Sequence, residues 1–165
     1  MSEITVGLMT EADIDAIHEI EVACFKTPWS KESFLREVKE NAVARYVVLR
    51  EDGVPIAYAG VWFILDEGHI TNIAVHPDKR RMGYGERVCR EMIQLAADSG
   101  MSVMTLEVRR SNEIAQKLYH KMGFIDVGYR KKYYENTEDA LIMFLEHMPE
   151  AHPENDPMLV TEAGG

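Results

Sequence analysis

The residues from Thr71 to Arg90 have the types and spacing needed to hold an anion. Thr71-Asn72-Ile73-Ala74-Val75 reads as an apolar strand, and His76-Pro77-Asp78-Lys79-Arg80-Arg81-Met82-Gly83-Tyr84-Gly85 as a basic, Gly-spaced turn. Glu86-Arg87-Val88-Cys89-Arg90 then opens a helix, with Val88, Cys89, Met92, Ile93 and Ala96 on one apolar face. The first amides of a helix have no intrahelical partner and sit at the positive end of its dipole. Gly83 and Gly85 carry no side chain, so a phosphate can approach the main chain, and Lys79, Arg80 and Arg81 add charge beside it. No Gly-Lys-Ser/Thr follows, and no Gly-x-Gly-x-x-Gly is present, so this is neither of the common nucleotide loops. A second reactive candidate is Glu107, in the apolar run from Met101 to Val108. A carboxylate there costs free energy unless it is paired, solvated or working.

The elements that position these groups follow from periodicity and punctuation. Ile4 to Leu8 is a short strand, Thr10 starts a capped helix, and Phe25-Lys26-Thr27-Pro28-Trp29 breaks it. Ser30 caps a second helix with Phe34, Leu35 and Val38 on its apolar face. Strands are expected at 45–50, 56–65 and 69–75, with turns at Gly53 and Gly68. A helix runs to Asp98 and stops at Gly100, and a strand covers 101–108. A helix from Asn112 to Met122 is closed by Gly123, and strands follow at 124–134 and 140–145. The order β-α-α-β-β-β-α-β-α-β-β predicts an α/β domain over residues 1–148. It has a mixed central sheet of about seven strands, flanked by about four helices. Residues 149–165 hold Pro149, Pro153 and Pro157 in a polar, acidic run and read as a flexible tail.

Composition narrows the chemistry. The 165 residues suit one core. The net charge of −10 argues against nucleic acid and suits a basic peptide or amine. No apolar run reaches membrane-span length, and no secretory signal is seen at the N-terminus, so a cytoplasmic protein with no membrane partner is expected. Cys24 and Cys89 read as reduced, half-buried small hydrophobes. Cys89, on an apolar face, is a poor nucleophile, and the scattered histidines show no zinc spacing, so no metal is expected.

Arg80-x-x-Gly83-x-Gly85 resembles the pyrophosphate-binding signature of the GNAT N-acetyltransferases. Leu106-Glu107-Val108-Arg109, Ser111-Asn112, then Ala115, Leu118-Tyr119 and Gly123-Phe124 resemble the ribosomal-protein-alanine N-acetyltransferase branch in particular. Pro28-Trp29-Ser30, Asn72-Ile73-Ala74-Val75-x-Pro77 and Tyr133-Tyr134 agree. The resemblance covers roughly residues 4–146 and implies the GNAT fold. It implies acetyl-CoA as acetyl donor, held by Ile73, Ala74, Val75, Arg80, Arg81, Met82, Gly83, Tyr84, Gly85, Glu86 and Asn112. It implies Glu107 as general base acting through water, and Tyr119 as the acid that protonates the departing thiolate. Trp29, Tyr133 and Tyr134 would line the acceptor groove, and the acceptor would be a protein N-terminus, the N-terminal alanine of a small-subunit ribosomal protein.

Acid–base arithmetic favours an α-amine. With a pKa of about 8, roughly a tenth is neutral at pH 7, against a few parts in ten thousand for lysine at about 10.4. A lysine or small-amine acetyltransferase, and a non-catalytic acetyl-CoA-binding module, stay open as alternatives. Glu86 and Glu135 depart from the family pattern, and Arg130-Lys131-Lys132 is left facing either adenosine phosphates or water.

Overall fold

The strands at 44–51 and 54–64 are buried on both faces along most of their length, whereas burial alternates along the strand at 103–109. The computed structural model describes residues 2–134 and 138–156, and of residues 132–134 the backbone only. The elements are β1 (Ile4–Leu8), α1 (Ile14–Cys24), α2 (Lys31–Lys39), β2 (Ala44–Glu51), β3 (Val54–Ile64), β4 (Glu67–Val75), α3 (Tyr84–Asp98), β5 (Val103–Arg109), α4 (Glu113–Lys121), β6 (Ile125–Tyr134) and β7 (Glu138–Leu145). The strands hydrogen-bond in the order β1-β2-β3-β4-β5-β7-β6. The element order is the expected one, and the sheet is mixed.

The chain divides into two compact units. The first comprises Met1–Trp62 and Thr71–Met92. In it β1 and β3 flank β2 antiparallel, with Ile4 opposite Glu51 and Ala44 opposite Trp62. The β2–β3 turn passes through Asp52 (φ 50°) and Gly53 (φ 88°), the two left-handed residues a tight hairpin turn requires. Ile17, Ile20, Phe34, Val48 and Tyr58 are fully enclosed in its core. Ser30 caps α2 as expected, its Oγ accepting from the Ser33 N–H at 3.1 Å.

The second unit comprises Phe63–Ile70 and Ile93–Gly165. The start of β4 pairs parallel with β5 there, Glu67 opposite Val103 and His69 opposite Thr105. β7 lies antiparallel between β5 and β6. Along β5 burial alternates, with Met104, Leu106 and Val108 inside and Glu107 on the other face. Gly100 (φ 90°) and Gly123 (φ 103°) end α3 and α4 in the left-handed region, as their positions predict. The segment after Met148, expected to be a loose tail, is tied to the end of α3. Gln94 donates to the Glu150 carbonyl at 2.9 Å, and the His152 N–H donates to Asp98 Oδ1 at 2.8 Å. The part of the expected tail at 157–165 lies outside the described residues.

Candidate active site

In the first unit, the loop leading from β4 into α3 is built by local hydrogen bonds. His76 N–H donates to the Ile56 carbonyl at 2.8 Å, which pins the end of β4 to β3. His76 Nδ1 accepts from the Asp78 N–H at 3.1 Å, fixing the 3₁₀ turn Pro77–Lys79. The chain then passes through Arg81 (φ 65°) and Gly83 (φ 81°) before α3 begins. Left-handed residues in a turn gather successive N–H groups into a concavity that suits an anion. A Cβ built on Gly83 would meet nothing within 4 Å, so the main chain is open to a ligand there. Arg80, Arg81 and Met82 are exposed. These features fit a bound pyrophosphate.

The charges around this loop are arranged differently from expectation in two respects. Lys79 forms an ion pair with Glu51 at 2.6 Å, so its charge is already matched within the protein. Glu86, a departure from the family pattern close to the loop, pairs with Arg90 one turn along α3. That pairing offsets the negative charge that would otherwise oppose a phosphate. Arg80 donates to Cys24 Sγ at 3.2 Å, and the Cys24 thiol donates to the Val75 carbonyl at 3.4 Å. Ala74 is buried, and Ile73 and Val75 are half-buried.

Glu21 organises the neighbourhood of β4, and sequence reasoning assigned it no role. Its side chain is buried on α1. It accepts from the Trp29 N–H at 2.9 Å, from Asn72 Nδ2 at 3.2 Å and from the Tyr58 hydroxyl. One carboxylate thereby holds the α1–α2 loop, β3 and β4. Burial, reinforced by the adjacent Glu21 charge, keeps the Tyr58 phenol far above its usual range, so it acts as a donor. Gly60 allows this packing. A Cβ there would stand 2.4 Å from the Tyr46 ring and 2.5 Å from Thr71 Oγ1. Trp29 is half-buried, and its indole packs on Phe34 with ring centroids 5.5 Å apart. The signal for Glu21 was its place on the apolar stripe of Ile14, Ile17 and Ile20.

The second unit carries the acid–base candidates. The Glu107 side chain is 13% exposed, and its Oε1 lies 2.8 Å from Arg130 Nη2. Arg130 therefore reaches a carboxylate, a partner that the phosphate and water readings of the basic run did not include. Tyr119 is buried on α4 and packs against Phe124 at 5.7 Å between centroids. Asn112 is exposed and caps α4, its Oδ1 accepting from the Ala115 N–H at 3.1 Å. The segment joining Glu107 to Tyr119 is clamped. Glu138 accepts from the Ser111 N–H at 2.8 Å and from Arg109 at 3.2 Å, and Gln116 donates to the Arg109 and Arg110 carbonyls. Hydrogen bonds from Ser111, then from Arg109, hold the Glu138 carboxyl below its usual range. Tyr133 and Tyr134 lie on the backbone of β6, and their side chains and Glu135 lie outside the described residues. Cys89 is fully buried rather than half-buried, and burial pushes its thiol up to about 12. Among the described residues no cluster of His, Cys, Asp or Glu could hold a metal ion, and no helix is long and apolar enough to cross a membrane.

The first unit thus carries Trp29, Ile73 to Val75 and Arg80 to Glu86. The second carries Glu107, Asn112, Tyr119, Tyr133 and Tyr134. Residues 14–124 match the acetyltransferase (GNAT) family. A Bacillus subtilis (strain 168) protein provisionally named a ribosomal protein bS18-alanine N-acetyltransferase is 44% identical over 134 residues, 81% of this chain and 89% of its own. The ribosomal protein bS18-alanine N-acetyltransferase of Escherichia coli (strain K12) is 35% identical over 146 residues, 86% of this chain and 96% of its own. The crystal structure of the Escherichia coli ribosomal-protein-S18-alanine N-acetyltransferase superposes with a TM-score of 0.80 at 32% identity, covering 89% of this chain and 96% of that one.

Proposed function

The chain belongs to the acetyltransferase (GNAT) family and is an acyltransferase, and from that premise we propose that it acetylates the α-amino group of a protein, using acetyl-CoA. The proposed acceptor is the N-terminal alanine of a small-subunit ribosomal protein. The observation that carries this reading is identity of 35–44% to enzymes named for that activity, over more than four-fifths of the chain. The site chemistry supports it.

Acetyl-CoA supplies an activated thioester. The amides at the start of α3 and the Arg80 and Arg81 side chains would hold its pyrophosphate. The main chain of Ile73 to Val75 would align the acetyl-bearing arm, and the Val75 N–H would stabilise charge on the carbonyl oxygen. Asn112 is a further proposed contact. Glu107 would take the proton from the attacking amine through water, and Tyr119 would return one to the sulfur as the C–N bond forms and the C–S bond breaks. Direct attack with both substrates bound fits the state of the thiols. Cys89 is enclosed with its thiol at about 12, and Cys24 is engaged by Val75 and Arg80. Trp29, Tyr133 and Tyr134 are the proposed walls of the acceptor groove.

The test is acetyl-CoA turnover on three acceptors, with the modified atom identified by mass spectrometry. They are an Ala-starting basic peptide, the same peptide N-terminally blocked and containing lysine, and spermidine. Acetylation confined to the free N-terminus is expected. Turnover on the blocked peptide or spermidine alone would overturn the acceptor assignment. Glu107→Gln and Tyr119→Phe should each lower turnover by roughly 100-fold or more, with acetyl-CoA binding retained.

A further inference from the structure

We propose that Arg130 is the positioning residue of the general base. On this reading its guanidinium holds the Glu107 carboxylate by a direct ion pair, and turnover depends on that contact. The inference rests on Glu107 being the base.

The strand register explains how the two meet. Glu107 on β5 lies opposite Ile142 on β7, and Ile142 lies opposite Gly128 on β6. Arg130 lies opposite Ala140, the next β7 residue on that face, and Ala140 in turn faces Arg109. The guanidinium therefore crosses β7 diagonally to reach Glu107. On β7 the diagonal passes between Ala140 and Ile142, and Gly128, the next β6 residue on that face, adds no side chain beside Arg130. A Cβ at Gly128 would meet nothing within 4 Å, so the surface is open there. The strand-mate Arg109 pairs with Glu138.

The asymmetry of the pair gives it a function. Glu107 is 13% exposed and Arg130 54% exposed. A planar guanidinium supplies the carboxylate with charge and direction together. A half-exposed arginine contributes little to global stability. Its effect is concentrated on where the carboxylate points, and general-base catalysis is sensitive to that placement.

A double-mutant cycle tests this. Arg130→Gln and Arg130→Lys are made in the natural chain and in Glu107→Gln, and turnover is measured with acetyl-CoA and the preferred acceptor. Arg130→Gln is expected to lower kcat roughly 10-fold or more, with KM for acetyl-CoA and the melting temperature little changed. Arg130→Lys should restore part of the loss. Within the Glu107→Gln background, Arg130→Gln should have no further effect. Full kcat for Arg130→Gln overturns the proposal and leaves the base reading intact. An equal loss in both backgrounds shows that Arg130 acts elsewhere and overturns it too. A rise in kcat/KM for the acceptor would mean that the guanidinium competes with the incoming ammonium, again overturning it. Full turnover in Glu107→Gln alone would remove the base assignment itself.

Discussion

Substituting Gly83 by alanine separates the two roles of the loop before α3. Gly83 holds φ at 81°, and an added Cβ would meet nothing within 4 Å. In the free protein the substitution therefore has one cost, placing an L-residue in the left-handed region, about 1 kcal/mol. For a chain of this size that lowers the melting temperature by about 2–4 °C. Gly53 provides a matched control. It sits at φ 88°, also with nothing within 4 Å of its Cβ, in the β2–β3 turn. Gly53→Ala should lose the same stability.

The two variants should part company only with acetyl-CoA present. At position 83 the methyl group stands where a phosphate is proposed to meet the main chain. Losing one charge-assisted hydrogen bond there costs about 1.5–3 kcal/mol, which weakens acetyl-CoA binding by roughly 10- to 100-fold. Thermal unfolding of the free proteins and calorimetric titration with acetyl-CoA measure the two effects separately. Equal stability loss with unchanged acetyl-CoA affinity in Gly83→Ala would refute the cradle. A much larger stability loss at position 83 than at position 53 would refute the argument that backbone strain is the sole cost.

Two further outcomes follow from buried ionisable groups. Asp13 is enclosed and pairs with Arg50, Oδ1 to Nε at 3.0 Å. Burial alone would raise its carboxyl, but the Arg50 hydrogen bonds and charge and the Thr10 N–H outweigh it and hold it below its usual value. Its contribution is thus present above about pH 4, the ordinary range, and lost as pH falls through the lowered folded value. Asp13→Asn should cost about 3 kcal/mol at pH 7. In thermal melts its deficit against the natural chain should shrink as pH drops below 4; a deficit independent of pH would refute the ion-pair account. Cys89 should resist an aromatic disulfide reagent at pH 8 in the folded protein and react on unfolding, because it is enclosed and its thiol lies at about 12.

The parts of this protein that a period can express were legible in its sequence. The stripe Val88, Cys89, Met92, Ile93 and Ala96 is the buried face of α3. Gly100 and Gly123 end their helices where backbone chirality says only glycine fits easily. The parallel pairing of β4 with β5 was implied by a strand–helix–strand order. Pairings of charge were not legible, because they depend on which strands become neighbours. Lys79 was counted with the phosphate loop and is matched by Glu51 of β2. Arg130 was assigned to solvent or phosphate and bonds Glu107 across β7.

Buried carboxylates show where the limit lies. Glu21 and Glu37 are both enclosed in the first unit. Their helical positions, beside Ile20 and Phe34, announce that they face inward. Nothing in that spacing announces that Glu21 meets the Trp29 N–H, the Tyr58 hydroxyl and Asn72, or that Glu37 meets Tyr46, Trp62 and Asn41. These donors range from Asn41, four residues from Glu37, to Tyr58 and Asn72 on strands 37 and 51 residues from Glu21. An inward-facing charge must find such donors or the fold loses several kcal/mol. A glutamate on an apolar stripe is therefore evidence in sequence that a donor network exists, and the structure is needed to say whose. In this chain the Glu21 network joins the loop carrying Trp29 to the strand carrying Ile73 to Val75, so a carboxylate outside every motif orders two segments of the proposed acceptor and donor sites together.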